Sequence, residues 1–104
     1  PLMSYKHNNL MAMRQHYWND NTSSNVQAEK NFFQMLLIEH GIFSEANLED
    51  AKYFFFTLPS IIIVKGYAVG FEHQSVKQLL ELHIQRHKSV LISKSAVQIE
   101  YQMK

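Results

Sequence analysis

Apolar residues recur along this chain at helical spacing in three places, and two of the three series have their boundaries written beside them. Val26, Phe32, Phe33, Leu36 and Leu37 fall on one broad face of a 3.6-residue turn, which predicts an amphipathic helix. Ser24, with Gln27 three residues later, makes a capping-box pattern in which a hydroxyl and an amide satisfy two orphan N–H groups. Gly41 follows His40 and supplies the left-handed residue that ends such a helix. Leu48, Ala51, Phe55 and Leu58 form a second stripe with Phe54 beside it, capped by Ser44. Glu45, Glu49 and Asp50 suit the positive end of that helix dipole, and Pro59 turns Leu58 out of the α region. The third series, Val76, Leu79, Leu80 and Ile84, runs through a helix expected from Glu72 to Lys88.

The remaining segments are less regular. His7 to Trp18 predicts a short helix with Leu10, Met13, Tyr17 and Trp18 along one side, and Asn19 to Asn25 (NDNTSSN) reads as a linker. Ser60 to Phe71 has two readings. Its β-branched run suits a buried strand with Lys65-Gly66 as a hairpin turn, although Lys fits the first turn position poorly. As a helix it is apolar nearly all round, which suits a central position in a bundle, and Gly66 and Gly70 one turn apart would admit a close neighbour. The helix is the preferred reading. The tail changes period: Val97, Ile99 and Tyr101 alternate, and with Val90-Leu91-Ile92 across a turn at Ser93 to Ser95 they predict a hairpin. The expected fold class is therefore α+β, a single mostly helical domain of four to five helices with a short C-terminal β-hairpin. Pro1-Leu2, ahead of Met3, reads as the remnant of a cleaved tag outside that fold.

Composition narrows the function classes. A chain of 104 residues, 46% hydrophobic, is long enough for one core without covalent staples. It has no cysteine, so disulfides and thiolate metal sites are excluded, and with no basic and apolar leader pattern a cytoplasmic protein is expected. Ile61 to Val64 is far short of the roughly 20 apolar residues of a membrane helix. The net charge is +1, and among the cations only Lys77, Arg86 and Lys88 approach a cluster, which gives nucleic-acid binding no electrostatic support. Three glycines do not build a phosphate cradle of the familiar kinds. No cofactor is implied.

His83 and His87, in LELHIQRH, stand four apart on one helix, the spacing of two ligands to one metal ion. Placed around the helix at about 100° per residue, both fall within the arc of Val76, Leu79, Leu80 and Ile84. Ile84 occupies the place of the glutamate in the HExxH metalloprotease motif. Two inward imidazoles are the simpler reading, with Glu29, inside the apolar arc of its own helix, as a partner for them. The carboxylates Glu45, Glu49 and Asp50 are most simply a solvated helix start.

The aromatic residues point elsewhere. Tyr53-Phe54-Phe55-Phe56 do not all face one core on a helix, so Tyr53 and Phe56 are expected on the side away from Phe55. Tyr17 and Trp18 are similarly adjacent, beside the polar linker. Either a core with two sides buries them, or they anchor a protein partner, and a homodimer is one such partner. The run Leu58 to His83 resembles small bacterial immunity proteins, which neutralise toxins deployed between neighbouring cells. The matching features are Leu58-Pro59, Lys65-Gly66, Gly70-Phe71 and the helix opening just after; Val69 and His73 stand where that pattern has an aromatic and an acidic residue. The resemblance implies a non-catalytic module that binds and occludes a toxin or other partner enzyme. A phage-type inhibitor of a host defence system and a nucleic-acid-associated regulator are the alternatives.

Overall fold

The computed structural model describes residues 2–42 and 48–94, with backbone only for residues 2–8. Five helices are α1 (Leu2–Trp18), α2 (Ser24–Glu39), α3 (Leu48–Thr57), α4 (Ser60–Val69) and α5 (Gln74–Arg86). A sixth, α6, covers residues 88–94. The expected α+β class is corrected: among the described residues the protein is all-helical, with six helices and no strand. Val90, Leu91 and Ile92, read as a strand, lie in α6, where the Leu91 N–H donates to the His87 carbonyl. Leu91 alone of the three is buried, while Val90 and Ile92 are exposed. The other half of that hairpin lies outside the described residues, as does the expected cap Ser44.

α2 begins one residue earlier than its capping box suggests. Ser23 is the cap, and its hydroxyl accepts from the Val26 N–H at 3.3 Å. Gln27 does not close the box; its amide donates to the Asp20 carbonyl at 3.0 Å. At the far end the Ile42 N–H reaches the Leu37 carbonyl and the Gly41 N–H that of Ile38, with Gly41 at φ +72°. This is a Schellman ending with Leu37 and Ile42 both buried beside it.

α2 packs along α3 and α4 along α5. α3 and α4 meet at 110° across Leu58-Pro59, and Arg14 of α1 holds the corner. Its guanidinium donates to the carbonyls of Phe56 and Leu58 at 3.1 and 2.8 Å, satisfying acceptors at the end of α3 that have no partner within their own helix. A buried cation is tolerated there because the negative end of the helix dipole faces it.

The core is aromatic. Phe33, Phe54, Phe55 and Phe71 are fully buried, and the Phe33 ring meets those of Trp18, Phe54, Phe55 and Phe71 at centroid distances of 5.3–6.4 Å. Such offset and edge-on pairs add to the burial of large apolar area. Phe71 sits in the turn between α4 and α5, its ring lying where a Cβ at position 66 would be, so Gly66 serves a side chain and not a neighbouring helix. Gly70, at φ +95°, ends α4. The ambiguous segment is thus a helix to Val69, followed by a glycine break. Leu48, expected in the stripe of α3, is half exposed, while Ala51, Phe54, Phe55 and Leu58 form its buried face.

Candidate functional site

The far end of the α4–α5 pair opens into a cleft of about 430 Å³. Its walls follow from the sequence of each helix. α4 is apolar nearly all round, so burying Ile62 and Ile63 forces Ile61 and Val64 outward. α5 buries the stripe Val76, Leu80 and Ile84, which leaves Leu79, Leu82, His83 and Arg86 facing the cleft. His87 ends α5 as its C-cap, and the chain turns there so that Val90 and Leu91 of α6 form the third wall. Tyr53 and Thr57 of α3 complete it. The aliphatic rim is well exposed: Ile61 by 73%, Val90 by 51% and Leu82 by 42%.

His83 lies half buried in this wall. Its ring is 5.9 Å from that of Phe54 and 4.5 Å from that of His87, and its Nε2 is 3.4 Å from the Thr57 hydroxyl. Burial, then the neighbouring His87 and Arg86, lower its pKa from the ordinary 6.5. His87 is exposed, so only one of the two imidazoles turns inward as expected. Neither reaches Glu29. That carboxylate instead accepts the Phe71 N–H at 2.7 Å and the Tyr17 hydroxyl, tying α2 to α1 and to the α4–α5 turn. No group of three or more His, Cys, Asp or Glu residues able to hold a metal ion occurs among the described residues.

The four aromatic residues expected to bind a partner divide. Trp18 is 7% exposed and stacks on Phe55 at 5.4 Å, with the Lys30 ammonium 5.2 Å from its ring. Tyr17 stacks on Phe55 at 5.2 Å, half buried. Burial and the bond to Glu29 hold its hydroxyl far above the usual titration range. Phe56 packs half buried edge-on against Phe55. Tyr53 alone lines the cleft, where the Lys94 ammonium approaches its ring at 5.2 Å. The core has two sides, and three of these rings serve it.

Leu79 and Val90 were read from the sequence as parts of a helix stripe and of a strand, and Ile61 and Leu82 as neither; the signal for Leu82 was that it falls outside the arc of Val76, Leu80 and Ile84. α4, expected at the centre of a bundle, instead leaves Ile61 and Val64 exposed. Compared with protein-family models, curated proteins and solved structures, the chain matches none of them. Among the described residues no single helix is long and apolar enough to cross a membrane.

Proposed function

We propose that this protein is a non-catalytic binding module of the cytoplasm that occludes a partner enzyme, in the manner of an immunity or inhibitor protein, and that it does so through the α4–α5–α6 cleft. The observation that supports this reading is the rim of Ile61, Leu82 and Val90, large aliphatic side chains left in water around a concave surface. Removing such apolar area from water favours association, and singly scattered exposed aliphatics do not converge in this way. The resemblance of Leu58 to His83 to immunity proteins falls on α4 and most of α5, two of the helices that frame the cleft, and on the Gly70-Phe71 break at the other end of that pair.

A photo-crosslinking residue placed at Ile61 or Leu82 in host cells is expected to capture one and the same polypeptide, and one placed at Asn31, exposed on α2, is not. The captured enzyme, expressed alone, is expected to harm the cell and to be silenced by co-expression of this protein. Equal capture from all three positions, or none from any, overturns the reading.

A further inference from the structure

Resting on that reading, we propose that the cleft receives an acidic amphipathic α-helix of the partner protein. The cations nearest the lining are Arg86, which is part of it, and Lys94, which lies over the Tyr53 ring. No carboxylate lines it: Glu81, on the other side of α5, pairs with His40 at 3.4 Å, and Glu49 precedes Tyr53 by a turn on α3 outside the lining. Among the described residues Arg86 has no ion-pair partner. An apolar floor inside a basic rim is complementary to an apolar stripe flanked by carboxylates.

The walls also select the shape of the occupant. Apart from Pro59 and the cap His87 they come from helices, whose backbone groups are bonded internally, so an extended peptide finds no strand edge to extend. A helix requires only a groove, into which it sets side chains spaced i, i+3 or i+4, and i+7.

The test uses the full chain and two synthetic helical peptides of about 15 residues. Both carry leucines at i, i+3, i+4 and i+7; one has glutamates flanking that stripe and the other lysines. In low salt, fluorescence anisotropy is expected to show the glutamate peptide binding at least about tenfold more tightly, with the gap closing as salt is raised. Arg86→Glu is expected to narrow or reverse the preference, and Ile61→Asp to weaken both peptides; each variant is first checked for an unchanged thermal melt. Equal affinities, an unaltered gap in Arg86→Glu, or no binding of the glutamate peptide at millimolar concentration overturns the proposal. So does a concentration-dependent dimer in sedimentation that Ile61→Asp abolishes, or binding to phosphatidylserine vesicles lost in that variant, since the occupant is then a second copy or a lipid surface. Failure of the peptides while position 61 still crosslinks a single partner discards the acidic helix and leaves the binding module standing.

Discussion

The two ends of the α4–α5 pair are built on opposite terms. At the turn, Phe71 is fully buried among aromatic rings, and its N–H is bonded to Glu29, which also holds Tyr17. At the open end, Ile61 stands 73% exposed and Arg86 faces the cleft among exposed aliphatics. One pair of helices thus carries a closed end packed and bonded within the fold, and an open end where Ile61, Leu82 and Arg86 are left exposed. Stability and binding are therefore expected to separate along the length of the same two helices.

Substitutions at the closed end break that contrast from the stability side. Phe33→Ala removes the ring that meets Trp18, Phe54, Phe55 and Phe71, and is expected to cost about 3–5 kcal/mol in denaturant unfolding. A loss below about 1 kcal/mol would show that the aromatic centre is not where the stability resides. Glu29→Ala leaves the Phe71 N–H and the Tyr17 hydroxyl without their acceptor, for about 1–3 kcal/mol. Glu29→Gln, which keeps one acceptor oxygen, should recover part of that. Gly66→Ala drives a methyl group into the Phe71 ring, and the expected loss of about 1–3 kcal/mol outweighs the gain of about 1 kcal/mol in helix propensity. A more stable Gly66→Ala variant would mean that the ring moves freely.

The open end is expected to answer to pH and to partners. The fold holds the His83 pKa below 6.5, so the unfolded chain takes up this proton first as pH falls. The contribution is fully present above about pH 6.5 and is lost as pH drops towards the folded value. Melting temperatures at pH 7.5 and pH 5.5 should therefore differ more for the natural protein than for His83→Gln; an equal difference refutes the assignment to this residue. The smallest effect belongs to Ile61→Asp, expected to leave stability within about 0.5 kcal/mol while removing the crosslink from Leu82.

Much of the closed end was legible in the sequence because its signals are local. The face of Phe33, Leu36 and Leu37 and the glycine after His40 each act on neighbours a few residues away, as does the proline after Leu58 at the other end. What could not be read depends on distant partners. Glu29 bonds the N–H of Phe71, and Arg14 reaches Phe56 and Leu58, across more than forty residues in each case, and nothing near those residues in sequence announces it. The C-terminal segment misled for a different reason: three apolar residues in a row satisfy the start of either period, and the bond from the Leu91 N–H to the His87 carbonyl four residues back is what makes the segment helical. For the aromatic run at Tyr53 to Phe56 the sequence left two readings, a core with two sides or a partner surface, because a single helix does not show what packs on its second face. α2 and α1 cover two sides of α3, and the cleft takes Tyr53.

The connection between α1 and α2 has a consequence for handling the protein in solution. NDNTSSN has the composition of a flexible link, yet the Asp20 carboxylate accepts from the backbone of Thr22 and Ser23 and from the Thr22 hydroxyl, and the Asp20 carbonyl accepts from Gln27. A protease must draw several residues of a loop into an extended shape before it can cleave, and here that means undoing the corner first. The segment that most resembles a place to cut, or to splice in a tag, is one where either operation would loosen the first helix from the rest of the molecule.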